Sequence, residues 1–155
     1  MVYYICENNN CSHLLNNMEM VMPTELEIWN LFWLASLSNA VYFAGLAFLL
    51  WVSFRAANMV GDSDNLIGKI LVTIFCLVIV FNMNFNGATA EWVVNGTAGV
   101  FSAIQAQGVE ISSGAQTLID ASEPGREFNL VPDVLTTIFL LVVLGMQMSS
   151  IWMKK

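Results

Sequence analysis

Charged residues are scarce in this chain, and basic residues are the scarcest of all. Only 11% of its 155 residues are charged, whereas 57% are hydrophobic. Soluble domains carry about 25% charged residues, so this composition is typical of an integral membrane protein. The five basic residues form no patch and the net charge is −7, which argues against nucleic acid as a partner.

The groups that most enzymes use for catalysis are also missing. The chain has one histidine, and it contains no phosphate-binding glycine loop, HExxH motif or paired cysteine clusters. No charged residue or histidine falls in the interiors of its three long apolar stretches, whereas proton-coupled carriers and pumps almost always place one there. We therefore predict a protein that is not an enzyme, needs no cofactor or metal, and drives no ion transport.

What the chain does have is three apolar stretches, each long enough to cross a bilayer as a helix. They comprise residues 31–54, 66–85 and 134–153. Thr24 and Glu27 have the spacing of a capping box, which predicts that the first helix begins near Glu25. Residues 55–65 are rich in turn-forming residues and should join the first two helices as a hairpin. The predicted fold class is an all-α integral membrane protein with three transmembrane helices.

A long non-cytoplasmic helical segment is predicted between the second and third spans, at residues 88–120. Its larger apolar residues recur every three or four positions, which is typical of a helix. Each internal glycine, however, costs about 1 kcal/mol in a helix, so the segment needs something to pack on. We expect a long helix, or two helices broken near Gly108, outside the bilayer. The alternative, a fourth span, is disfavoured by Glu91 and Asn95 and by the charge asymmetry described next.

The basic residues indicate the orientation of the chain. Arg55, Lys69, Lys154 and Lys155 lie at one set of helix ends, and only Arg126 lies at the other. Because basic residues collect on the cytoplasmic side of a membrane, we expect the amino terminus outside and the carboxyl terminus in the cytoplasm. The expected location is the bacterial inner membrane.

Residues 1–24 show no periodicity and are predicted to be a flexible non-cytoplasmic tail, which leaves residues 25–153 as a single transmembrane helical domain. Soft metal ligands in the tail make copper binding an alternative, although they lack a rigid scaffold. These ligands are Cys6, Cys11, His13, Met18, Met20 and Met22. A second alternative is that translation begins at one of these methionines. Asn10 and Asn95 also match the glycosylation acceptor pattern, which has meaning only in a eukaryotic host.

Small residues about one helical turn apart predict where helices approach each other closely. With the apolar stripe of the outer segment, they give the candidate interface residues Ala40, Ala44, Trp92, Gly96, Gly99, Ala103 and Ile104. Three polar residues, Asn39, Asn82 and Gln147, lie within or at the end of the spans. An unsatisfied amide in hydrocarbon costs several kcal/mol, so the asparagines are expected to face protein rather than lipid.

Two classes of function remain open at this point. The first is a non-catalytic membrane subunit that assembles through small-residue helix interfaces, either with copies of itself or with other membrane-protein subunits in a larger complex. The second is a small channel or carrier for a neutral solute, with Asn39, Asn82 and Gln147 lining its path. The small size of the chain and the absence of intramembrane charge favour the first.

Overall fold

A computed structural model describes residues 23–131 and 133–153. Within these ranges the chain forms four helices and no strand. We number them α1 to α4, and they comprise Glu25–Gly61, Leu66–Ala106, Ser113–Asp120 and Val134–Trp152. Three of them, α1, α2 and α4, are long and apolar enough to cross a membrane, which confirms the predicted all-α class with three such helices. The predicted tail at residues 1–24 lies almost wholly outside the described residues.

α1 and α2 form an antiparallel hairpin. α1 begins at the predicted capping box, in which the Thr24 hydroxyl accepts from the Glu27 backbone N–H and the Glu27 carboxylate accepts from the Thr24 backbone N–H. After the turn, the Asn65 side chain caps α2 by accepting from the Gly68 backbone N–H at 3.1 Å. At a rise of about 1.5 Å per residue, the 37 and 41 residues of the two helices extend about 55 and 60 Å. Both helices are therefore much longer than the hydrocarbon core of a bilayer, which is about 30 Å thick.

α2 is one unbroken helix, which joins the predicted span at 66–85 to the first part of the predicted outer segment at 88–120. Three alternating asparagines, Asn82, Asn84 and Asn86, lie where the two meet, and each side chain has a hydrogen-bond partner in another part of the chain. The helix ends only at Ala106. Gly108 then adopts a left-handed φ of 84°, a conformation that glycine takes readily. The helical conformation is interrupted there, and the next helix, α3, begins at Ser113.

α4 packs against the half of the hairpin nearest the α1–α2 turn, which we call the turn half. Two buried clusters join α1, α2 and α4 there, formed by Leu46, Ile79, Met83 and Leu140 and by Ala57, Cys76 and Ile151. Trp152, at the end of α4, donates its indole N–H to the Thr73 hydroxyl at 3.2 Å. With 19 residues, α4 extends about 28 Å and is therefore too short to cover the whole hairpin.

α3 and the loop at 121–131 pack on the other half of the hairpin, which we call the cap half. A buried cluster joins α3 to α1 and α2, formed by Ile28, Phe101, Ile104 and Ala115. The Glu25 carboxylate accepts from the Ser112 backbone N–H at 3.1 Å, from the Ser112 hydroxyl, and from the Trp29 indole N–H at 3.1 Å. These bonds join the beginning of α3 to the beginning of α1.

The loop at 121–131 is attached to α2 by hydrogen bonds and an ion pair. Asn95 accepts from the Glu123 backbone N–H with its side chain and from the Gly125 backbone N–H with its carbonyl oxygen, both at 3.0 Å. Arg126 forms ion pairs of 3.0 Å with Glu91 and with Glu123. The cap half is thus closed on one side by chain segments that follow α2.

We predict opposite effects on stability for two neighbouring glycines of α2. A Cβ added at Gly99 would lie 2.9 Å from the Gly125 backbone nitrogen, whereas a Cβ added at Gly96 would have no atom within 4 Å. Gly99→Ala should lower the free energy of unfolding by about 1–3 kcal/mol through overpacking. Gly96→Ala should raise it by up to about 1 kcal/mol through helix propensity. Unfolding of both variants in detergent would measure the difference, and equal stabilities would contradict the close approach of the loop to Gly99.

Candidate functional site

Two asparagines of α2 form polar contacts with α1 near the middle of the hairpin. Asn82 and Asn86 are one turn apart and therefore share a face of the helix. Asn86 donates from Nδ2 to Oδ1 of Asn39 at 2.6 Å, and Asn82 accepts at Oδ1 from the Tyr42 hydroxyl at 3.1 Å. Asn82 also donates to a backbone carbonyl of its own helix. Both predicted asparagines, Asn39 and Asn82, are therefore paired within the chain.

Asn84 contacts a different part of the chain. Since it lies between the other two asparagines in sequence, it faces nearly the opposite side of α2. Its Nδ2 donates to the Leu130 carbonyl oxygen at 2.5 Å, and the neighbouring Phe85 ring lies 5.7 Å from the Phe128 ring. The three alternating amides thus connect α2 to α1 on one side and to the 121–131 loop on the other.

A second polar site is buried between the three long helices. Gln147 of α4 and Ser53 of α1 are both 0% exposed. Gln147 donates from Nε2 to Ser53 Oγ at 2.7 Å, and the Ser53 hydroxyl donates to the Leu50 carbonyl oxygen at 2.7 Å. Cys76 of α2, also fully buried, lies close to Ser53. Among the buried side-chain polar atoms of the described residues, only Gln147 Oε1 has no hydrogen-bond partner.

The two polar sites are built from the same few kinds of side chain. Each consists of amides and hydroxyls, with Cys76 as the one thiol of the buried site. In the part of the chain that the structure describes, no group of three His, Cys, Asp or Glu side chains could bind a metal. The soft ligands proposed for copper, from Cys6 to Met22, lie outside the described residues.

An apolar groove opens between α1 and α2 in the cap half. It has a volume of about 420 Å³ and is lined mainly by Ile28, Leu31 and Ala35 from α1 and by Trp92, Gly96 and Val100 from α2. Its lining includes no charged residue and nothing from α3, α4 or the 121–131 loop. Trp92 is 51% exposed at its rim. The residues that the structure describes therefore leave this groove uncovered.

The predicted interface residues occupy three kinds of position. Trp92 and Gly96 line the groove, while Gly99 and Ile104 pack against the 121–131 loop and in the buried cluster with α1 and α3. Three others are exposed, namely Ala40, Ala44 and Ala103. Small residues that the sequence grouped together thus serve contacts within the chain in some cases and face outward in others.

Some residues of these sites were not singled out as site residues by the sequence. The pairing of Asn86 with α1 and of Asn84 with the loop follows from their spacing once α2 is known to be continuous. Ser53 could not be identified from the sequence, because nothing distinguishes it from other serines that lie within apolar spans. Asn95, which matches the glycosylation pattern, is 5% exposed and accepts from the Glu123 backbone, so the folded chain does not present it for modification.

Neither a protein-family model, nor a curated protein, nor a solved structure matches this chain. The function is therefore argued from the geometry.

We predict that removing the partner of the buried Gln147 amide destabilises the protein more than removing the amide together with its partner. Ser53→Ala should lower the free energy of unfolding by about 1–2 kcal/mol, because both ends of the buried amide then lack a partner. Gln147→Leu removes the whole amide, and the double variant should therefore be more stable than Ser53→Ala alone. Unfolding of the three variants in detergent would measure this coupling. Additive losses in the double variant would contradict it.

Proposed function

We propose that this chain is a non-catalytic integral membrane subunit that assembles with protein partners through the exposed faces of its two long helices. The exposed surfaces of α1, α2 and α4 are dominated by large apolar side chains. Soluble monomers rarely expose apolar patches larger than a few hundred Å². A bilayer is the solvent that such helices require.

The positions of aromatic and basic residues support a specific depth in the bilayer. Trp33, which is 64% exposed, and Arg55 lie about 33 Å apart along α1. This spacing is close to the hydrocarbon thickness of about 30 Å, with an aromatic residue at one interface and a basic residue at the other. The bond from Trp152 to Thr73, one turn from Lys69, brings the end of α4 near the basic end of α2. We propose that this end is cytoplasmic.

The rest of the proposed topology follows from the same charges. Every acidic residue except Asp62 and Asp64 belongs to the cap half, the 121–131 loop, the capping position of α4 or the amino-terminal segment. With the basic end in the cytoplasm, the cap half faces the periplasm of a bacterial inner membrane.

The observation that carries the assembly proposal is the length of the exposed apolar surface. On α1, exposed large apolar side chains extend from Leu26 to Met59, and on α2 from Ile67 to Val100, which is about 50 Å on each helix. Lipid hydrocarbon covers about 30 Å of this length. With Trp33 and Arg55 at the two interfaces, somewhat more than about 10 Å of this apolar surface on each helix extends beyond the hydrocarbon in the cap half. This part, which includes the groove, requires another cover. A protein partner meets that requirement and a polar solvent does not.

The alternative of a channel or carrier receives no support from the polar residues. A solute path needs amides free to bind solute, whereas Asn39 and Asn82 are paired within the chain and Gln147 is sealed between helices. The groove is lined almost entirely by apolar residues and by no charged one.

The proposal predicts that the native particle contains more than one polypeptide. The tagged chain would be excised from its membrane in polymer-bounded nanodiscs, and the protein mass of the particle would be measured after subtracting lipid and polymer. We expect a fixed mass above the 17.2 kDa of one chain. A particle with a single chain and only lipid would contradict the proposal.

A further inference from the structure

An open cavity lies on α1 at the end that is proposed to be cytoplasmic. It has a volume of about 440 Å³ and is lined by Trp51, Phe54, Arg55, Asn58 and Met59. The three polar members, Trp51, Arg55 and Asn58, are exposed and follow one another at steps of four and three residues. They therefore share one face of the helix over a length of about 10 Å.

Each of these three side chains carries N–H donors that no described residue accepts. Two other tryptophans donate their indole N–H to protein groups, whereas that of Trp51 has no acceptor among the described residues. The same is true of the Asn58 amide. Both ion pairs of the described residues belong to Arg126, so the Arg55 guanidinium has no carboxylate partner among them. The cavity is thus bordered by donors that remain available to a ligand.

An apolar stripe continues from the cavity toward the middle of the proposed bilayer. Phe48, Ala44 and Val41 are exposed and follow Trp51 at steps of three and four residues, so they lie on the same face of α1. The Phe48 ring lies 6.0 Å from that of Trp51. From Trp51 to Val41 the stripe extends about 15 Å, which is half of the hydrocarbon thickness of about 30 Å. Its length therefore matches one leaflet.

We infer that this face of α1 binds an anionic phospholipid of the cytoplasmic leaflet, with the phosphate at Trp51, Arg55 and Asn58 and an acyl chain along the apolar stripe. This inference rests on the proposed depth of the chain in the bilayer and does not require assembly with protein partners. A guanidinium binds phosphate oxygens through paired N–H donors. Tryptophan and arginine both lie at the level of the headgroups, where lipid phosphates are found.

The local charge favours an anionic headgroup over a zwitterionic one. The net charge of the chain is −7, but only two of its acidic residues belong to the segments at this end. Four basic residues accompany them in sequence, so that Arg55, Lys69, Lys154 and Lys155 outnumber Asp62 and Asp64. A zwitterionic headgroup carries its own cation, which a guanidinium repels. An anionic headgroup has a net negative charge that Arg55 balances, and basic residues near the cytoplasmic ends of spans attract such lipids.

The test compares variants that remove the same group inside and outside the cavity. Arg55→Gln and Lys69→Gln each remove one positive charge at the same end, but only Arg55 lines the cavity. Trp51→Leu and Trp33→Leu each remove an exposed tryptophan of α1, from opposite interfaces. Each chain would be reconstituted in vesicles of equal parts phosphatidylglycerol and phosphatidylcholine and then extracted in detergent. Native mass spectrometry would count the retained lipids, and thermal unfolding would establish that each variant folds.

We expect the native chain, Lys69→Gln and Trp33→Leu to retain phosphatidylglycerol in preference to phosphatidylcholine. Arg55→Gln should lower this preference about fivefold, because it removes the basic group at the phosphate. Trp51→Leu should lower the retention of both lipids, since both carry a phosphate. Excess inorganic phosphate should not displace the lipid, because the acyl chain contributes to its binding.

An equal loss of preference in Lys69→Gln would indicate general attraction to the charged surface and would overturn the site. Displacement of the lipid by inorganic phosphate would overturn a phospholipid as the ligand. A native chain without lipid preference, in a native particle that contains several polypeptides, would overturn this inference and leave the proposed function intact. A chain that does not enter the vesicles would overturn both.

Discussion

The antiparallel pairing of α1 and α2 is the interaction on which the rest of this structure depends. It is made by apolar contacts along the helices and by the amide pair of Asn39 and Asn86 near the middle. At the cap end, the Trp29 ring lies 5.2 Å from that of Phe101. α4, α3 and the 121–131 loop all pack on this hairpin, so each depends on the register of α1 against α2.

In the proposed bilayer, polar groups inside the hydrocarbon must find partners within the protein. The alternating asparagines of α2 meet this constraint by dividing their contacts between α1 and the loop. Gln147 meets it only in part, since one end of its amide pairs with Ser53 and the other has no partner. Under the same constraint, we propose that the amides serve packing rather than a solute path. An amide already paired inside the chain offers little to a passing solute.

The three apolar helices, the capping box at Thr24 and the break near Gly108 could be predicted from local sequence, because hydrophobic length, cap spacing and glycine conformation are local properties. The continuity of α2 could not be predicted in this way. Asn82, Asn84 and Asn86 resemble the end of a span until their tertiary partners are known. For the same reason, spacing placed Gly96 and Gly99 on one face, although one lines the open groove and the other contacts the 121–131 loop. Which small residues remain for a partner depends on how a distant loop folds back.

The central claim is that protein covers the apolar surface of the cap half beyond the bilayer. Spin labels at single introduced cysteines, in a variant without native cysteines reconstituted in vesicles, test it most directly through their accessibility to oxygen and to a water-soluble relaxing agent. Phe48 serves as the lipid-facing reference and Glu110 as the water-facing one, since both are exposed. The account predicts that a label at Val100 is poorly accessible to both agents, as expected in a protein interface. A label at Val100 as accessible to the water-soluble agent as the one at Glu110 would contradict it.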